Sequence, residues 1–198
     1  MNATRYFLGV LLVLGVPPAI LFWLLIHPFA RFWRRIGPKP TYLVAVALLC
    51  VVVLALYQIR AGLLGPDLGT NWSLFVPGCF LYMVSAWISI VTRRQLDDRT
   101  FAGLPEISQA EPKGALLQGG IYGVVRHPRY LAVIIGISGF ALVVNYLGPY
   151  LVVLGSIPAL LLVVMLEERE LADRFGAEYQ EYRARVPAFF PRIRSGSR

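Results

Sequence analysis

Between residues 120 and 191 the chain sets out Gly120-Ile121-Tyr122, Arg126-His127-Pro128-Arg129-Tyr130, an apolar stretch, Glu167-Glu168, then Phe175-Gly176, Tyr179 and Tyr182. Pro128 suits the first turn of a helix, which stands Arg126 and His127 beside N–H groups that a helix start leaves unpaired. That corner is electropositive and can hold an anion such as a carboxylate. Two adjacent helical glutamates point about 100° apart at 3.6 residues per turn, so they take different jobs. One can accept from hydroxyls or an ammonium, and the other can orient His127 or an arginine. Tyr130 follows His127 by three positions, near one helical turn, so both can face one pocket, and Tyr122 and Tyr130 can close over a bound ring. Taken singly, each residue has a plainer use. Arg126 and Arg129 would anchor a span at the interface, the glutamates would start a solvated extension, and the tyrosines would pack. Their convergence at a membrane face is what points to binding and catalysis.

The elements that must position these groups are apolar helices. The 198 residues are 57% hydrophobic and 15% charged, with the charges segregated, which is the composition of an integral membrane protein. A helix needs about 20 apolar residues to cross a hydrocarbon core of roughly 30 Å, and residues 6–27, 42–59 and 73–91 qualify. Two shorter runs, 129–144 and 150–166, flank the turn residues Asn145-Tyr146-Leu147-Gly148-Pro149 and predict a helical hairpin with arms of about 24 to 26 Å. Such a hairpin brings Arg126-His127 and Glu167-Glu168 to one face. The expected fold is therefore all-α and polytopic, with five transmembrane helices, the last two a hairpin, and a helical extension at the carboxyl end. Of nineteen Lys and Arg, only Arg5 and Arg60 fall on the other side, so the basic-loop rule puts the amino terminus outside and the carboxyl terminus in the cytoplasm. Topology and anionic headgroups account for the net charge of +8 without nucleic acid.

Other features narrow the function. The first span is too long for a signal-peptide core and is expected to stay as a helix, kinked at Pro17-Pro18. Cys50 and Cys79 lie within spans, away from any partner, and suit packing; no disulfide or metal site is implied. No inverted repeat and no ionisable residue in the cores of the first three spans speaks for transport. The loop 93–125, with Asp97-Asp98, Gly103-Leu104-Pro105-Glu106 and Glu111-Pro112-Lys113-Gly114, reads equally as a lid or a connector until Gly119-Gly120, where backbone can approach a ligand. In the tail, Leu171, Phe175, Tyr179 and Tyr182 share a face that should dock back, Glu170 and Arg174 form an i to i+4 pair, and residues 195–198 fray.

These motifs, with the closing Val186-Pro187, resemble the integral-membrane methyltransferases of the isoprenylcysteine carboxyl methyltransferase family, whose relatives include phospholipid N-methyltransferases. The resemblance covers about the last third of the chain. It implies S-adenosylmethionine as cofactor, bound by Gly120, Tyr122, His127, Pro128, Tyr130, Glu167 and Glu168, with methyl transfer to a lipophilic or membrane-associated carboxylate, amine or thiol. Methyl transfer needs alignment and charge placement more than a protein nucleophile. Arg126 is the candidate clamp for a carboxylate acceptor and Glu168 the candidate acid to hold or deprotonate an amine. Residues 1–92 would form a three-helix transmembrane region, and 93–198 the cofactor-binding loop, hairpin and extension of one integrated domain. Membrane lipids are expected partners, and a bacterial inner membrane the expected site. Ile121, Arg129 and Ala132 depart from the family pattern, and the aliphatic run Val133-Ile134-Ile135 puts a prenylcysteine substrate in doubt. Two alternatives stay open: an NADPH-dependent membrane reductase of the sterol type, disfavoured by the lack of a Gly-Glu after Tyr130, and a non-enzymatic scaffold.

Overall fold

The computed structural model describes residues 2–96 and 116–191. The loop motifs at 97–98, 103–106 and 111–114 and the tail from 195 lie outside the described residues. The order is α1 (Asn2–Ile26), α2 (Ala30–Ile36), α3 (Pro38–Gln58), α4 (Arg60–Leu64), α5 (Trp72–Arg93), a 3-10 turn (Gly120–Gly123), α6 (Pro128–Val144), α7 (Leu147–Phe175) and α8 (Ala177–Arg185). Among the described residues β pairing is confined to one bridge, Asp67 with Tyr146. The protein is all-α, as expected. Helices α1, α3, α5 and α7 are long and apolar enough to cross a bilayer, and α6 is a shorter apolar helix of 17 residues.

The hairpin forms where its turn chemistry predicts, but with a tighter turn. Asn145 ends α6 in the left-handed region (φ 51°), which Asn tolerates better than most residues. Tyr146 is the one extended residue, and Leu147-Gly148-Pro149 already form the first turn of α7, where a missing proline N–H leaves nothing unpaired. α7 then runs 29 residues, well past the apolar stretch, and stops at Gly176. The extension is thus two pieces rather than one helix: the end of α7, and α8 folded back on it. Tyr179, Tyr182 and Val186 pack there with Leu116, Leu171, Ala172 and Phe175, so the predicted face does dock on the protein.

In lipid the hydrophobic effect does not drive helices together, so close packing must. α5 and α6 form the most extensive contact. A Cβ on Gly78 would lie 2.7 Å from the Gly139 carbonyl oxygen, and one on Gly139 2.6 Å from the Gly78 oxygen, so only glycine fits at this crossing. Ser85 Oγ donates to Ala132 O at 2.7 Å on the same seam. α1 lies against both arms of the hairpin, with Ile20, Tyr130, Leu160, Val163 and Val164 at the centre of the contact. Its apolar stretch is 39% buried against 11% for α3, which makes α1 a core helix and leaves α3 to face lipid.

At the hairpin's turn the chain is closed by one buried cation. Arg5, 6% exposed, donates from Nε to Val144 O (3.0 Å) and from Nη2 to Asn145 O (3.2 Å) and Asp67 Oδ1 (2.5 Å), and its guanidinium lies 5.2 Å from the Tyr146 ring centre. Asn145 ties the same knot, donating to Gly69 O (2.9 Å) and accepting from Tyr150 (2.8 Å). Partial burial works to raise the Asp67 carboxyl, but the Gly69 N–H and Arg5 outweigh it and hold it below its ordinary value.

Candidate active site

Every expected site residue gathers at the opposite end of the hairpin. Pro128 does occupy the first turn of α6, with His127 as the residue before it. Two backbone N–H groups there, of Arg126 and His127, donate to Pro187 O (2.9 Å) and Ala188 O (3.0 Å), so the Val186-Pro187 segment straps the corner from outside. Tyr182 OH donates to Tyr122 O at 2.7 Å, fixing the 3-10 turn to α8. Gly120 takes a positive φ (54°), and a Cβ on it would strike the Gln95 amide. That amide, oriented by its hydrogen bonds, donates to Gly119 O (3.1 Å) and accepts from Ile121 N–H (3.3 Å).

The two glutamates divide as their 100° separation requires. Glu168 turns to the corner: its Oε1 accepts from Arg126 Nε (3.1 Å) and Nη2, and from His127 Nε2 (3.1 Å), and its Oε2 lies 3.6 Å from Arg183 Nε. Arg126 completes its own set on the carbonyls of Arg183 (3.2 Å) and Val186. The expected clamp on an acceptor carboxylate is therefore a guanidinium engaged on all sides by protein. Glu167 turns instead to the cavity, where its Oε2 is buried, 3.9 Å from His127 Nδ1 and without a hydrogen-bond partner among the described residues. A buried carboxylate oxygen left unsatisfied is costly and marks a place where a donor is missing.

That cavity, about 60 Å³, is lined by Trp23, His27, Leu96, Tyr122, Arg126, His127, Pro128, Arg129, Tyr130 and Glu167. It has room for one end of a ligand. His127 lies 6.0 Å from the Tyr130 ring and 5.9 Å from Phe189. Burial pushes the Tyr122 and Tyr179 hydroxyls upward and Tyr182 up to about 12, so all three stay protonated donors at neutral pH.

Sequence reasoning missed one wall. Trp23 and His27, at the end of α1, face the motif residues across the cavity, and His27 Nδ1 lies 3.2 Å from Glu170 Oε2. Arg34 Nη2 donates to Glu170 Oε1 at 2.5 Å. Glu170 therefore serves α1 and α2 rather than the expected pairing with Arg174, whose guanidinium sits on Phe175. The available signal was composition: the chain has two histidines, and both sit at the same end of the fold beside glutamates of α7.

A family model described as phospholipid methyltransferase matches residues 73–178. Methanethiol S-methyltransferase 2 of Bradyrhizobium diazoefficiens is 27% identical over 179 residues, 83% of this chain and 65% of that protein. Methanethiol S-methyltransferase of Pseudomonas deceptionensis is 26% identical over 183 residues, 84% of this chain and 65% of that protein. The chain thus spans just under two thirds of the length of these relatives. A Delta(14)-sterol reductase of Mus musculus is 34% identical over 97 residues, 48% of this chain but 23% of that protein. No solved structure matches the chain with significance.

Proposed function

The chain belongs to the phospholipid methyltransferase family, and from that premise we propose that it transfers a methyl group from S-adenosylmethionine to a lipophilic nucleophile that enters from the bilayer. The observation that carries this reading is the buried carboxylate oxygen of Glu167, without a hydrogen-bond partner among the described residues, on a cavity bordered by the start of α6. An amino-acid moiety offers matching chemistry, an ammonium for Glu167 and a carboxylate for the start of α6. When bound, the cofactor supplies an electrophilic methyl on a sulfonium. The protein's part is orientation and desolvation. Tyr122, Tyr130 and His127 would border the ligand, Gly120 would let the backbone approach it, and Pro128 would fix the helix start. Arg126 and Glu168 act here as a positioning pair: they lock His127 and the strap rather than touch the acceptor. A thiol acceptor fits the names of the two methanethiol relatives.

The corner should face the cytoplasm, because the basic residues cluster at its end of the helices; a bacterial inner membrane suits that arrangement. The match to the sterol reductase favours a second reading, a nicotinamide cofactor at the same corner.

Calorimetric binding of S-adenosylhomocysteine to the detergent-purified protein tests the proposal. Saturable binding weakened about tenfold or more by Glu167→Gln is expected. Binding of NADPH with no response to S-adenosylhomocysteine would transfer the site to the reductase reading.

A further inference from the structure

The α1 wall of the cavity has a chemistry of its own. His27 has a side chain 1% exposed, stacks on Trp23 with ring centres 5.4 Å apart and planes 21° apart, and presents Nδ1 to Glu170. Arg34 fixes that carboxylate from its other oxygen, and Arg129 lies 4.3 Å from the centre of the Trp23 ring. A carboxylate holding Nδ1–H selects the tautomer whose Nε2 carries the lone pair, the arrangement of an oriented general base.

The charges around the cavity restrict what such a base would act on. A carboxylate acceptor requires a cation and no base, yet Arg126 is engaged by Glu168 and two carbonyls, Arg34 by Glu170, and Arg129 by the face of Trp23. An ammonium acceptor would bring a second positive charge beside a sulfonium. A neutral thiol meets neither objection, and it crosses hydrocarbon without shedding a hydration shell of its own charge.

Resting on the cofactor reading above, we propose that His27, oriented by Glu170, takes the proton of a neutral thiol acceptor as its sulfur attacks the methyl group. The sulfur lone pair forms the new S–CH3 bond. The methyl–sulfonium bond breaks with its pair going to the departing sulfur, and the thiol proton goes to the imidazole. Positive charge thus moves from the sulfonium to an imidazolium facing Glu170. His27 is the catalytic residue in this step and Glu170 a positioning residue. Among the described residues, the other titratable or charged groups bordering the same space are Glu167, His127, Tyr122, Tyr130, Arg126 and Arg129, with Arg34 behind Glu170.

The test compares an aliphatic thiol, neutral at assay pH, with an aromatic thiol already ionised there. For the wild type, kcat/KM for the aliphatic thiol should level off at a pH well below the thiol's own ionisation. A rate that keeps rising to the thiol's own ionisation overturns the proposal. His27→Gln should lower kcat/KM for the aliphatic thiol about 100-fold or more and for the ionised thiol less than about fivefold, with saturable calorimetric binding of S-adenosylhomocysteine retained. Equal losses for the two thiols, or none, also overturn it. Glu170→Gln should move the acidic limb to lower pH, since the imidazolium loses its counter-charge, an effect a merely structural role would not produce. If His27→Gln does not fold, the wild-type profile and Glu170→Gln decide the matter. Absence of S-adenosylhomocysteine binding by the wild type sinks the cofactor reading itself, whereas full binding with an unaltered thiol profile in His27→Gln sinks the base alone.

Discussion

The two ends of the helical hairpin are built with the same device and differ in what they leave over. At one end Arg5 bonds the Asp67 carboxylate and the carbonyls of Val144 and Asn145; at the other Arg126 bonds the Glu168 carboxylate and the carbonyls of Arg183 and Val186. Each arginine ties loop or tail segments to a helix terminus. The Arg5 end is complete, with Asn145 and Tyr150 taking up the remaining polar atoms. The Arg126 end borders a cavity and carries a buried carboxylate oxygen with no hydrogen-bond partner among the described residues. A buried ion pair therefore does not mark a site by itself. Surplus hydrogen-bonding capacity beside it does.

The sharpest way to break this comparison is to remove one member of each pair. Glu168→Ala leaves Arg126 and His127 facing each other uncompensated and should destabilise the protein by about 3–5 kcal/mol, abolishing activity and lowering the thermal unfolding midpoint in detergent. Arg5→Ala should cost about 3 kcal/mol by the same logic, yet the folded fraction at low temperature should bind S-adenosylhomocysteine within about twofold of wild type. A large loss of affinity there would mean that the Arg5 end is coupled to the site and that the distinction fails.

Glu167→Gln sharpens the contrast from the other direction. It removes a carboxylate whose buried oxygen accepts no hydrogen bond from the described residues, so affinity should fall about tenfold, or roughly 1.4 kcal/mol, while the unfolding midpoint holds or rises. Tyr182→Phe deletes the hydroxyl that bonds Tyr122 O and should cost about 1 kcal/mol in stability, with a smaller effect on affinity, measured in the same two assays.

The smallest effect is one of pH. Asp67 has a folded value below its ordinary 3.8, so its contribution is fully present above that value and is lost as pH falls through the lower folded one. The gap in unfolding midpoint between wild type and Asp67→Asn should persist at pH 6 and close in strong acid. A gap that widened on acidification would show that the carboxylate is not what Arg5 binds.

What was legible in the sequence followed chemical type. Pro128 placed the start of α6, Asn145 placed the hairpin turn, and the turn in turn brought Arg126-His127 against Glu167-Glu168. The division of labour between the glutamates followed from helical geometry, though which took which job did not. The α1 wall was illegible because lipid-facing and protein-facing apolar residues look alike: nothing in residues 6–27 distinguishes a core helix from the peripheral α3, so His27 had no visible address. Glu170 shows the same limit. A local i to i+4 partner was available at Arg174, and tertiary packing supplied His27 and Arg34 instead. Gly176 was legible as a motif residue but not as the break that folds α8 back.

The strap over the corner also has a meaning in time. Arg126 and His127 leave the ribosome about 60 residues before the carbonyls of Pro187 and Ala188 that receive their N–H groups. At about 5–20 residues per second, that is a wait of roughly 3–12 s. Until those last carbonyls arrive the corner is open and its N–H groups belong to water or headgroups, so a nascent chain holds the hairpin before it holds the site.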